Sequence, residues 1–307
     1  MIRPGIIIGV IFCLMIAGPV LAGEPGSSGF VFLRLGNGAR AAGMGEAFTA
    51  VADDATGIYF NPAGLADVRE VQLNVSHSEW FVGTRFEQAS VAFEFLSGAV
   101  GCHFTGLYYG ELERRRNYPT ILPDGTFTPY SLAASVGYGM DLLPDLSVGI
   151  STKLIYEKID FESATGFAVD IGAKHRSRIR GLSFAASLLN MGPKAKFVEE
   201  EFYPPLQIRL GSAYQVTEKW LNGEVILSGD FIIQNDSDEK FLLGMEYTYR
   251  EVISVRGGYK GGYDSQGPTM GIGILYNRLR FDYAFMPIDY DLGNSHRFSI
   301  NVFPSSL

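Results

Sequence analysis

The sequence has almost no cysteine. Two occur in 307 residues, Cys13 and Cys102, and Cys13 falls in an N-terminal apolar stretch that export would remove. A disulfide-stapled secreted scaffold is therefore excluded. The signatures of a catalytic or metal centre are missing too. No G-x-S-x-G elbow, H-E-x-x-H pair or cysteine cluster occurs, and the four histidines, His77, His103, His175 and His296, are scattered. An enzyme is not expected, nor a metal or other cofactor. Beyond residue 22 no window is continuously apolar, so no membrane-spanning helix is expected. Basic charge is also in short supply: 25 Lys and Arg against 33 Asp and Glu, a net charge of -8. That balance argues against nucleic acid as a partner.

Residues 1–22 carry one early charge, Arg3, and then an apolar run closing on Val20-Leu21-Ala22. This is the pattern of an export signal peptide, with Gly23 as the new N-terminus. The chain is rich in glycine (37) and in Tyr and Phe (16 and 22), and hydrophobic residues make up 47%. Beyond the signal peptide the apolar residues are dispersed with a period of two. Ala89, Val91, Phe93 and Phe95 alternate with Gln88, Ser90, Ala92 and Glu94; Phe241, Leu243, Met245, Tyr247 and Tyr249 oppose Gly244, Glu246 and Thr248. Met270, Ile272 and Ile274 oppose Thr269, Gly271 and Gly273 in the same way. Such alternation marks half-buried strands. Many segments run about ten residues, the length that crosses a bilayer at a tilt. Aromatics gather near segment ends, as two interfacial girdles require. Short connections (96–98, 141–146, 176–180, 277–279) alternate with mostly longer ones (110–129, 190–204, 260–267, 286–297). Short periplasmic turns and long outer loops give that order. The reading is an all-β, transmembrane antiparallel β-barrel of about fourteen strands over residues 70–303, with a tail at 304–307.

Residues 36–66, GNGARAAGMGEAFTAVADDATGIYFNPAGLA, do not alternate. They lie in a segment, 23–69, expected to form a plug. Gly43 and Gly45 permit close backbone approach or positive φ, and residues 39–52 suit a short helix or two. Asp53-Asp54 suits a turn or cap, and Asn61-Pro62 reads as an N-cap with Pro at the first helical position. This block, ending Asn61-Pro62-Ala63-Gly64, resembles the plug motif of the PorV/PorQ family, distant relatives of FadL-type fatty-acid transporters. The resemblance implies a plug (hatch) folded into a fourteen-stranded barrel. It singles out Arg40, Asp53, Asp54, Asn61 and Pro62 in the hatch, with Gly43, Gly45 and Gly64 completing the motif.

Residues of both signs fall on the lumen-facing parity: Glu94, His103, Lys153, Asp170, Lys174, Arg209, Asp230, Glu246, Arg256, Arg280 and Asp282. Mixed signs suit satisfied networks that hold a narrow barrel shut around its plug, because buried charges need partners. Gly98, Gly101, Gly106 and Gly110 invite two explanations. They kink the third strand and open a hole in the wall, or they ease packing against the plug. The family resemblance implies an outer-membrane location. It also implies a non-enzymatic role, as a secretion-linked (type IX-like) accessory barrel that binds or escorts exported cargo. The alternative is a FadL-like passive channel for hydrophobic solutes such as long-chain fatty acids. The corresponding partners are outer-membrane lipid, secretion-system proteins or exported cargo, and hydrophobic small molecules.

Overall fold

The computed structural model describes residues 26–80, 83–119, 121–218, 222–290 and 293–304. The expected signal peptide, residues 1–22, lies outside the described residues, as do positions 305–307 of the tail. In chain order the strands are β1 (Gln72–Glu79), β2 (Arg85–Phe95), β3 (Gly98–Tyr108), β4 (Leu112–Arg114), β5 (Gly125–Phe127), β6 (Tyr130–Leu143), β7 (Leu146–Ile159), β8 (Glu162–Arg176) and β9 (Leu182–Met191). After these come β10 (Ala195–Phe197), β11 (Glu200–Phe202), β12 (Gln207–Glu218), β13 (Gly223–Gln234), β14 (Lys240–Tyr249), β15 (Ile253–Gly261), β16 (Pro268–Tyr276), β17 (Leu279–Pro287) and β18 (Asn294–Val302). Fourteen of them close into one barrel, each antiparallel to its neighbours, with β1 sealed against β18. The other four form two loop hairpins, β4–β5 and β10–β11.

Alternation along the strands sorts the side chains. Phe93, Met245 and Ile272 point outward and are 37%, 49% and 44% exposed, whereas Ala92 is fully buried. The apolar exterior is what lipid requires of a barrel wall. Among the described residues no helix is long and apolar enough to cross a membrane, and the crossing elements are strands. Tyr130 beside Tyr156, and Phe241 beside Tyr259, sit at the end of the barrel that carries the long loops. Tyr249 and Tyr276 sit at the short-turn end.

Two details of the wall resolve an open reading of the sequence and correct another. β3 is not kinked: all its residues are in register with β2 and with β6, and Gly110 lies beyond its end. The last outer loop is shorter than residues 286–297, because β17 continues to Pro287 and β18 starts at Asn294, placing His296 and Arg297 in the wall. The ladder is incomplete elsewhere. β8 pairs with β7 along its whole length, but with β9 only from Val169 inward. Near residues 162–168 lies the β10–β11 hairpin, a separate two-stranded sheet whose Ala195, Phe197 and Phe202 pack into the same apolar cluster as Ala164 and Ala168.

Residues 26–67 occupy the lumen. Regular structure there is brief: 3-10 turns at Val31–Arg34 and Pro62–Asp67, and single helical turns at Ala39–Gly43 and Gly57–Phe60. Residues 44–52 form turns where the alanine content suggested more helix. Glycine density and tight contacts with the wall account for the difference, since glycine disfavours helix interiors.

Candidate functional site

The plug meets the wall through glycines. Gly45, with φ +63, lies so close to β14 and β15 that an added Cβ would be 2.8 Å from both the Leu243 carbonyl and the Tyr259 amide. Gly43 stands against Gly271, and a Cβ on Gly258 would lie 2.1 Å from the Gly45 nitrogen. On the opposite wall, Pro62 packs on Gly149 and Gly139, Asn61 on Gly172, and Leu65 on Gly101. The glycines of β3, β6, β7, β8, β15 and β16 therefore make room for the plug. For Gly101, packing against the plug is the explanation that holds. Gly64 closes the plug on itself, with its Cβ position 2.2 Å from the Ala52 carbonyl oxygen.

Asn61 is fully buried and fastens three chain segments. Its Oδ1 accepts from the Ala63 N–H at 3.0 Å, capping the turn that Pro62 opens. Its Nδ2 donates to the carbonyls of Thr49 (3.1 Å) and Ala173 (3.2 Å). Asp54 Oδ1 accepts from the Thr56 N–H and hydroxyl, setting the turn before Gly57–Phe60.

Charge ties the plug to β14–β18. Arg40 pairs with Asp53 (2.5 Å), Asp54 (3.3 Å) and Glu246 (2.8 Å). Glu246 also accepts from Arg256 at 2.5 Å; Arg256 reaches Asp282 at 2.8 Å, and Arg280 bridges Asp282 (2.9 Å) to Asp54 (3.1 Å). A second set joins Glu46 to Lys260 (2.7 Å) and Arg209 to Asp230 (2.8 Å), with Thr49 donating to Asp230. Lys153 pairs with Asp170 at 3.0 Å, and Lys174 with Asp67 at 2.8 Å. His103 is buried between Ser90 (2.9 Å) and Thr105 (2.8 Å). Breaking such pairs singly is costly, about 3–5 kcal/mol for a fully buried pair.

Toward the long-loop end the lumen is apolar. Phe30, Phe32 and Leu33 pack against Phe86, Leu107, Ala133 and Ile155. Each such side chain contributes about 2 kcal/mol on burial. This N-terminal strap is latched at its end: Arg34 pairs with Asp236, and the Ser28 N–H donates to the same carboxylate at 3.1 Å. Burial would raise the Asp236 carboxyl, but Arg34 and Ser28 reverse that and hold it below its ordinary value. At the short-turn end a cavity of about 380 Å³ opens between the plug at Ala50, Val51 and Asp53 and the wall at Leu182, Ser183, Ala213, Gln215 and Ile226.

Of the residues singled out from sequence, Arg40, Asp53, Asp54, Glu246, Arg256, Arg280 and Asp282 converge in one network. His103, Lys153, Asp170 and Arg209 sit in neighbouring ones. Glu94 does not join them: it has the inward parity but is exposed at the short-turn rim of β2, below the plug. Three lumen residues carried no such expectation. Glu46 and Lys260 pair across more than 200 positions. Arg297 is fully buried over the Phe86 ring and donates to the Gly36 carbonyl at 2.6 Å. The alternation Ser295, Arg297, Ser299, Asn301 against His296, Phe298 and Ile300 is the signal that places it in a strand.

Fold and plug together resemble those of FadL-type outer-membrane barrels of solved structure. The crystal structure of the Pseudomonas putida toluene transporter TodX is similar with a TM-score of 0.59 at 13% identity, covering 92% of this chain and 97% of that one. A Pseudomonas aeruginosa FadL homologue is similar at 0.53 and 10% identity, covering 86% and 97%. A family model described as an uncharacterised protein family (UPF0164) matches residues 22–108, which hold the plug and β1 to β3. No curated protein matches the chain.

Proposed function

We propose that the protein is a non-enzymatic, passive outer-membrane channel for small apolar solutes. The observation that carries this reading is the apolar outer half of the lumen, where Phe30, Phe32 and Leu33 meet Phe86, Leu107 and Ile155. A water-filled porin has a polar interior. The strap that supplies Phe30, Phe32 and Leu33 to this cluster is a short segment with little regular structure, so an apolar solute replaces contacts of the same kind when it enters. Likeness of fold to a toluene transporter supports the same reading. The test is uptake of the apolar dye N-phenylnaphthylamine by cells with an intact lipopolysaccharide leaflet. Expression of the protein should speed uptake severalfold and leave entry of a hydrophilic probe of similar size unchanged. Equal rates with and without the protein would overturn it.

A secretion-accessory role has one observation in its favour. The outer β4–β5 hairpin holds Tyr118, Ile121 and Leu122 exposed, 97% for Ile121, and an apolar tip beyond the bilayer suits a protein partner. Native pull-down from outer membranes distinguishes the two. Co-purifying translocon components or exported proteins, lost on Ile121→Ser with Leu122→Ser, would favour secretion.

A further inference from the structure

The plug is held unevenly around its circumference. On the β14–β18 side it is fixed by Gly43 and Gly45 against wall backbone and by the Arg40 and Arg280 ion pairs. On the β3–β8 side Leu65, Pro62 and Asn61 are seated on wall glycines. Over β9, β12 and β13 the arrangement changes with depth. Gly211 touches Thr49 and Ala50, and inward of that level the cavity opens beside Ala213 and Ile226, which share a buried cluster with Ala50 and Val51. The same flank carries the interrupted β8–β9 ladder.

An unbroken column of rings joins the outer apolar cluster to this cavity. The Tyr59 hydroxyl lies 2.6 Å from the carbonyl oxygen of Leu33, a member of the outer cluster. The Tyr59 and Phe60 rings are 5.3 Å apart and nearly perpendicular, and Phe60 and Phe48 are also 5.3 Å apart. Phe48 and Phe60 belong to the buried cluster that includes Ala50, Val51, Ala213 and Ile226, all four of which line the cavity. The faces of the two rings are covered by guanidiniums, Arg40 over Phe48 at 5.3 Å and Arg209 over Phe60 at 5.2 Å. The main chain of Phe60 is anchored by the Ser187 hydroxyl donating to its carbonyl at 2.9 Å. What can move here is side chain, not plug backbone.

We infer that the passage for apolar solutes descends along the β8–β9–β12 flank, with Phe60 and Phe48 as its gate and the inner cavity as its exit toward the short-turn side. This rests on the apolar-channel reading. Ring rotation opens the column, while the ion pairs and glycine contacts keep the plug docked on the other walls. The ring and aliphatic surfaces that part are apolar, and the charges beside them are paired, Lys174 and Arg176 with Asp67 at the cavity and Arg40 and Arg209 with wall carboxylates, so apolar solutes enter the gap more readily than water or ions do.

The experiment uses the same dye uptake by cells, in a Cys102→Ser background. Phe60→Ala should raise uptake severalfold while single-channel ion conductance of the purified barrel stays at the wild-type level. Ala213→Trp, which fills the cavity, should lower uptake about tenfold. Where that variant fails to fold, by heat-modifiable migration, Ser183→Cys is blocked after assembly with a bulky maleimide, and the same loss is expected. A disulfide between Ala39→Cys and Ser299→Cys, whose parent residues are joined by a 2.7 Å Ala39 N–H to Ser299 Oγ bond, locks the plug to β18. Uptake should survive that lock. Loss of uptake on locking, or uptake indifferent to both cavity blocks, would overturn the route. Absence of uptake by the wild type would remove the channel reading and the route with it.

Discussion

Replacing Asn61 by alanine should release the plug far more often than an ordinary lost helix cap would. The cap itself, Oδ1 to the Ala63 N–H, contributes about 1 kcal/mol. The amide also donates to two carbonyls, Thr49 in the plug and Ala173 in β8, within a fully buried site. Losing a buried donor costs about 1–3 kcal/mol, and the low end applies because each carbonyl keeps a second lone pair. Two of the three bonds lie within the plug and count because a plug with so little regular structure loses its turns on release; the sum is then about 3 kcal/mol, roughly a hundredfold in the ratio of open to plugged lumen. Planar-bilayer recording of the purified barrel reads this as the frequency of brief high-conductance steps. Asn61→Ala should raise it about a hundredfold. Asn61→Ser keeps a good cap and loses only the two amide donations, so it should raise the frequency about thirtyfold, from roughly 2 kcal/mol. If both variants stay within threefold of wild type, the claim that Asn61 fastens plug to wall is refuted. If they equal one another, the cap adds nothing.

Three further outcomes are expected from the same geometry. Arg introduced at Met245 or Ile272 should cost roughly 2–4 kcal/mol near the midplane, read by denaturant unfolding in lipid vesicles, and a lipid-phase probe should label Cys at these positions and spare Cys at Ala92. Gly258→Ala, with its Cβ position 2.1 Å from the Gly45 nitrogen, should destabilise by about 1–3 kcal/mol; Gly257→Ala, whose Cβ would meet nothing within 4 Å, should leave the heat-modification midpoint unchanged. The Arg34–Asp236 latch carries a pH signature: because the Asp236 pKa is lowered in the folded protein, its contribution is complete above the ordinary Asp value of about 4 and is lost as pH falls below that. Protection factors of residues 28–34, exchange corrected for its intrinsic pH dependence, should therefore be equal at pH 7 and pH 5 and fall only below pH 4, and a fall already at pH 5 would contradict the latch.

The wall was legible because lipid and lumen impose a period of two on every crossing strand. Phe93 next to Ala92, and Met245 next to Glu246, declare their faces without reference to any partner. Position along the barrel axis is not so declared: Glu94 has the right parity but lies below the level of the plug. Partnership was also illegible where it spans the chain. Nothing local in Glu46 announces Lys260, and nothing in Gly258 announces Gly45, since those contacts exist only once the barrel has closed. Arg297 was hidden by its neighbours, because Asn294 and Ser295 read as loop until the alternation beyond them is traced to Val302. The two loop hairpins are three-residue strands, too short for any period to show.

β1 lies beside β18, so the earliest and latest strands of the barrel in chain order share one seam. The plug precedes β1, and it bonds to strands from early and late in the barrel: Gly38 to β2, Arg40 to β14, Ala39 to β18. A finished cylinder with glycine-tight walls offers no width through which residues 36–67 could later be threaded. The hatch must already be lying on the open sheet when the final strand arrives. Closure of the β1–β18 seam is then a checkpoint: β18 zips up around a cargo made of the residues that lead into β1.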